Sequence, residues 1–207
     1  MCFRYARQDV EQDSRMTGEE LNALLAQKQA LLVHFSHHSN MREGSEFPGD
    51  LQAAIDNVSR WDLSCCLIWP GHPMKLPGSV GVIIEPTVSG VVSVSPDDSG
   101  SSSLGSLGEQ LTKESLERSF ALAPGRYNEW RIVGKRALGI FVTDPNCIWV
   151  KQRGEIFLPE NLTESGRAEL LDSTSTIRPQ RQSLQYVKNA FPNIEIFTFR
   201  DGKAVTL

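Results

Sequence analysis

Three of the chain's four histidines, His34, His37 and His38, fall within the stretch VHFSHHSNM (33–41). Imidazoles this close in sequence suit a metal site, a cluster of bases, or a strand end that holds a ligand. His72 supplies a fourth ring. On a strand, successive side chains point to opposite faces, so His34 and His37 diverge, as do His37 and His38. There is also no HExxH pattern, and the zinc reading loses ground. Adjacent Cys65 and Cys66 offer a second chemistry, a thiolate–imidazole dyad with His34 or His72. The apolar run around them, LSCCLIW, instead predicts buried thiols that behave as small hydrophobes. A third candidate is Glu129 in RYNEWRIVG. Alternation places Tyr127, Glu129 and Arg131 on one face and Asn128, Trp130 and Ile132 on the other. Trp130 and Ile132 suit a core, which turns Glu129 toward a cleft or solvent. Its plain reading is an exposed glutamate paired with Arg131, worth little energetically.

VHFSHHSNM also resembles the nucleotide-holding motif of the DarT-like ADP-ribosyltransferase toxins. That motif is a strand ending in His-x-Thr-His, followed after two residues by Asn-Leu. The matching positions are His34, Phe35, Ser36 and His37, then Asn40 and Met41. Ser36 keeps the threonine's hydroxyl, and Met41 keeps an unbranched apolar side chain. NEWRIVGKRALGIFV resembles the family's glutamate-bearing strand and its successor, with Glu129 at the catalytic position. The likeness spans residues 30–150 approximately.

The resemblance implies an α+β fold with a split, mixed central β-sheet and flanking helices. It implies a bacterial toxin that transfers ADP-ribose from NAD to a DNA or RNA base and releases nicotinamide. Glu129 and His34 would be the catalytic pair. His34, Ser36, Asn40, Arg42 and Tyr127 would hold the nucleotide: His34 on a ribose, Ser36 in support, and an aromatic such as Tyr127 or Phe35 stacked on nicotinamide. The family's phosphate-binding arginine has no aligned counterpart, which leaves Arg42 and Arg60 as the choices, Arg42 nearer the motif. WPGHPMKLPGSVGV echoes the family's Pro/Gly-rich segment loosely. An antitoxin or immunity protein is the expected restraining partner.

The chemistry is coherent with those residue types. Cleaving the N-glycosidic bond of NAD passes through an oxocarbenium-like state, as glycoside hydrolysis does. A carboxylate aimed at the growing positive charge stabilises it and can take the proton of the incoming nucleophile. Arg126, Arg131, Lys135 and Arg136, with Tyr127 and Trp130, would form a small basic-aromatic surface for a single strand. A protein acceptor, or water in an NAD hydrolase, are the alternatives. Two readings from other classes stand beside these: a non-enzymatic interaction or immunity module, and a metal- or thiol-dependent hydrolase using His34, His37, His72 and a cysteine.

These residues need a scaffold, and 207 residues suffice for one domain with its own core. The expected division is a catalytic domain over 1–152 and an extension over 153–207 that packs on or completes it. A net charge of −4 argues against coating nucleic acid by bulk charge. No signal-peptide core and no membrane span is written in the sequence, and four scattered cysteines suit a reducing cytoplasm. Thr17 with Glu20 reads as a capping box opening a helix over 17–30. LLVHFS then reads as a buried strand, 50–58 as a short helix, and LSCCLIW, GSVGVIIEP and SGVVSVSP as strands. DDSGSSSLGSLG (97–108) reads as a flexible loop, and Thr112 as the cap of a helix over 112–120. YNEWRIVG and ALGIFVT follow as strands, with CIWVKQ continuing the sheet. The tail reads as a polar linker over 159–182, a short helix near 181–190 and the strand IEIFTFR. There is no GxGxxG and no P-loop, which excludes the common nucleotide folds.

Overall fold

Thr17 opens the first helix, α1 (Gly18–Lys28), with the capping box read from sequence. Its hydroxyl accepts from the Glu20 amide at 3.2 Å, and the Glu20 carboxylate accepts from the Thr17 amide at 2.8 Å. Two of the four orphan amides of the helix start are thereby satisfied. Leu21 and Leu25 turn inward, and Gln29 ends the helix in a left-handed conformation that releases the chain into β1 (Leu31–Phe35). The computed structural model describes residues 16–37, 44–98, 108–153, 163–166 and 177–207.

The remaining elements, in order, are α2 (Gly49–Asp56), β2 (Leu63–Ile68), β3 (Val80–Glu85), β4 (Val91–Asp98), α3 (Lys113–Ser119), β5 (Tyr127–Ile132) and β6 (Arg136–Val142). Then come β7 (Ile148–Arg153), β8 (Ile177–Gln182), α4 (Leu184–Ala190), β9 (Ile196–Arg200) and β10 (Lys203–Thr206). Eight strands form one sheet in the order β10-β9-β6-β3-β1-β2-β5-β4. Only the β6–β9 pair is parallel, so the sheet is mixed and the fold is α+β.

CIWVKQ does not continue this sheet. Its strand, β7, pairs instead with β8 in a separate two-stranded ladder, Ile148↔Gln182 through Arg153↔Ile177. The outer edge of β6 is already taken by β9, through Ile140↔Ile196 and Phe141↔Phe197, so no edge is open to β7 there. The stretch expected as linker therefore ends in a strand. Asp97 and Asp98 likewise belong to β4, while 99–107 lie outside the described residues.

Side-chain alternation gives the main sheet two buried faces. Leu32, Cys65, Leu67, Val82, Ile84, Trp130, Ile132 and Ile140 form the larger core, against α1, α2, α3, α4 and β7. Val33, Phe35, Cys66, Ile68, Ile83 and Phe141 form a smaller one under Met74 and Leu122. A fully buried side chain of this size contributes about 1.5–3 kcal/mol, so the larger cluster carries most of the stability. Among the described residues no helix is long and apolar enough to cross a membrane.

Candidate functional site

β2 is shared by two ladders that barely overlap. It pairs with β1 from Leu31↔Ile68 to Val33↔Cys66, and with β5 from Leu63↔Ile132 to Cys65↔Trp130. Each neighbour leaves β2 where the other joins it. Side chains fill the two openings. On the β5 side, the buried Asn128 amide accepts from Leu67 N at 2.7 Å and donates to Leu67 O at 2.9 Å and Ser119 O at 3.2 Å. On the β1 side, the opening is closed by His34.

His34 Nδ1 donates to the Ser64 carbonyl at 2.7 Å. A carbonyl only accepts, so Nδ1 carries the proton and Nε2 is left with a bare lone pair. Among the described residues no hydrogen bond reaches Nε2. Burial holds the His34 pKa below the usual imidazole value, opposed in part by the Ser64 carbonyl and the Asp50 carboxylate. The ring is therefore neutral near pH 7.

Ser64 also reaches Glu129. Its hydroxyl donates to Glu129 Oε1 at 2.7 Å. Ser64 lies opposite Arg131, so Glu129, two residues earlier, is its diagonal neighbour on the same face. Arg131 is not the partner of Glu129. It pairs with Asp62 at 2.5 Å, which leaves Glu129 Oε2 without a hydrogen bond among the described residues. Glu129 is half-buried.

The two residues expected to act together do not share a face. His34 stands opposite Val82, on the face of Leu32 and Cys65. Glu129 belongs to the face of Ser64 and Cys66. They approach Ser64 from opposite sides of the sheet and meet through it alone. Tyr127 is on the Glu129 face, half-buried against the smaller core.

Ser36 is committed elsewhere. Its hydroxyl donates to Asp50 Oδ2 at 2.6 Å, and Asp50 Oδ1 accepts from Leu51 N at 2.8 Å in the first turn of α2. Nearby lies Lys151 on β7, only 1% exposed. Among the described residues no hydrogen bond or ion pair reaches its Nζ. Burial lowers its pKa, against the pull of Asp50 and Glu46. Asn40, Arg42 and His38 lie outside the described residues. Arg60 is exposed after α2 and donates to Asp56 O at 3.2 Å.

The competing chemistries find less support. Among the described residues no group of three or more His, Cys, Asp or Glu side chains is arranged to hold a metal. Cys65 and Cys66 are buried, and burial pushes the Cys65 thiol well above its usual pKa, the reverse of an activated nucleophile. His72 packs against Trp69 and lines a cavity with Met74 and Phe141 of the smaller core. The basic cluster is only partly paired: Lys135 and Arg136 share Glu85, at 2.9 and 2.5 Å, and Arg131 pairs with Asp62.

No protein-family model matches the chain, and no curated protein matches it. The site therefore rests on its own geometry. Sequence reasoning reached His34, Ser36 and Glu129 but missed the residues that connect them. Ser64 carries a signal in retrospect, as a hydroxyl at the head of an apolar strand. Lys151 is another, a charge inside IWVKQ. Asp50 is inconspicuous, one acid among many.

Proposed function

We propose that this chain is an NAD-dependent ADP-ribosyltransferase whose catalytic carboxylate is Glu129. The observation that carries the reading is the double role of Ser64. Its hydroxyl fixes one oxygen of Glu129, and its carbonyl fixes the tautomer of His34. A half-buried carboxylate held by one neutral donor keeps its second oxygen for ribose hydroxyls and for positive charge growing at the anomeric carbon. His34, on the other face of the sheet, does not reach the same sugar; its bond to the Ser64 carbonyl orders the strand that presents the Ser64 hydroxyl.

In this reading the C–N bond of NAD breaks with its electron pair leaving on nicotinamide. The acceptor attacks the anomeric carbon, and Glu129 takes the acceptor's proton. Of the four cations in the basic-aromatic surface expected to meet a nucleic-acid acceptor, three are ion-paired to Asp62 or Glu85 and Trp130 is buried. The proposal therefore rests on the donor half of the reaction.

The test is incubation of purified protein with labelled NAD and separate DNA, RNA and protein pools. Label should enter one pool, and Glu129→Ala should abolish transfer while leaving the fold intact. NAD loss without any pool marks a hydrolase. NAD left intact in every pool, with no binding by calorimetry, favours an interaction module and overturns the proposal.

A further inference from the structure

A cavity of about 360 Å³ opens on the smaller core, walled by His72, Ser79, Phe141, Thr143 and Phe199. It draws on four separate parts of the chain: the segment after β2, the approach to β3, the end of β6, and β9. Phe141 and Phe199 meet edge to face, with ring centroids 5.0 Å apart, and supply an aromatic wall. Gly78, also in the lining, sits where a Cβ would fall 2.1 Å from the Ser36 carbonyl. The glycine lets this wall lie directly against the end of β1. Met74, another lining residue, takes a contact from Asn128 Nδ2 at 3.5 Å, one residue before Glu129. Two lining residues thus pack against the end of β1 and against β5, although neither strand itself lines the cavity.

Its polar groups are few and neutral. His72 Nδ1 accepts from Met74 N at 3.3 Å, so its proton is on Nε2 and the ring can only donate further. Burial depresses the His72 pKa, which keeps the ring uncharged near pH 7. No charged side chain appears in the lining among the described residues. An anion brought here would lose its hydration without a counter-charge, which is costly. The volume is at the small end for ligand sites, enough for a ring system with its sugar and not for a dinucleotide. Aromatic edges and faces with one donor suit a flat, polar ring.

We infer that this cavity is a binding site for an uncharged heteroaromatic ring, a nucleobase or nicotinamide, recognised by Phe141 and Phe199 and by the His72 Nε2–H. The inference goes beyond the proposed reaction and does not require turnover. The ring can come from the dinucleotide or from an acceptor base.

The experiment is calorimetric or NMR titration of the whole chain with nicotinamide, adenosine and thymidine, and with ribose 5-phosphate as a charged, non-aromatic control. At least one ring should bind and ribose 5-phosphate should not. Thr143→Leu, which fills the cavity, should weaken that ring at least tenfold. Phe199→Leu, which removes an aromatic wall, should weaken it several-fold and serves if the first variant folds poorly. Preference for nicotinamide assigns the ring to the dinucleotide, preference for thymidine assigns it to an acceptor, and preference for adenosine establishes a nucleobase site common to both. No ring binding, or ring binding untouched by both well-folded variants, overturns the inference. Cavity-dependent binding in a protein that never consumes NAD sinks the proposed reaction and leaves this site standing. NAD consumption with unaltered ring affinity in both variants does the reverse.

Discussion

Ser64 donates its hydroxyl to Glu129 Oε1 across 2.7 Å and lends its carbonyl to His34 Nδ1 at the same distance. One residue at the head of β2 thereby orients two side chains that point to opposite faces of the sheet. Removing the hydroxyl frees the carboxylate to rotate while the carbonyl bond to His34 survives. A hydrogen bond to a charged group is worth about 1.5–3 kcal/mol. Ser64→Ala should therefore lower NAD turnover roughly 10- to 100-fold in a variant that still folds. Ser64→Thr should restore most of it. Full activity in Ser64→Ala would show that Glu129 needs no positioning.

Two histidines predict how stability follows pH. Burial depresses the pKa of both His34 and His72. Below pH 6.5 the unfolded chain takes up protons at these rings before the folded chain does. Their contribution is complete above that value and is lost as pH falls toward the folded pKa. Urea unfolding between about pH 5 and about pH 8, on either side of the usual imidazole value of about 6.5, should show a falling midpoint on the acid side. His34→Gln and His72→Gln should each flatten the slope. A slope unchanged in the double variant would assign the acid sensitivity to carboxylates.

Lys151 predicts a stabilising substitution. A buried ammonium that has no ion-pair partner among the described residues costs stability, and apolar replacement of buried charge often stabilises by about 1–4 kcal/mol. Lys151→Met keeps the chain length and should raise the urea midpoint at pH 7. The gain should shrink as pH rises past the lowered pKa of Lys151, where the wild-type amine is already neutral. A lower midpoint in Lys151→Met would show that Asp50 and Glu46 more than offset the burial.

The elements nearest to local rules were the legible ones. The Thr17–Glu20 capping box and the Thr112 cap fixed two helix starts, and both appear as read, the second with Ser115 completing a capping box. The alternation in YNEWRI put Trp130 and Ile132 in the core and turned Glu129 away from it. What escaped depends on register between distant segments. Whether Ser64 meets Glu129 is set by β2 and β5 pairing as Ser64↔Arg131, 67 residues apart, and no local pattern encodes that. β8, IRPQRQ, escaped because it is polar and mostly exposed, with a proline inside, and pairs only with β7 at the rim. Lys151 escaped because burial of a charge contradicts the usual sorting of residues.

Asn128 supplies the last prediction and a separate check on the split of β2. Its amide replaces the ladder where β5 leaves β2, and it is fully buried. Asn128→Leu has similar volume but satisfies none of Leu67 N, Leu67 O and Ser119 O. An unsatisfied buried donor costs about 1–3 kcal/mol, so with two carbonyls also deprived the loss should be about 3 kcal/mol or more. Asn128→Asp retains an acceptor for Leu67 N but loses both donations and adds a buried charge, so it should be no better. Urea unfolding of both variants reads the effect. Because Asn128 anchors the strand at the residue before Glu129, NAD turnover should fall in any variant that still folds. A loss under about 1 kcal/mol in Asn128→Leu would mean that β5 re-registers on β2 without the amide. The opening between the two ladders would then be a property of the backbone and not of this side chain.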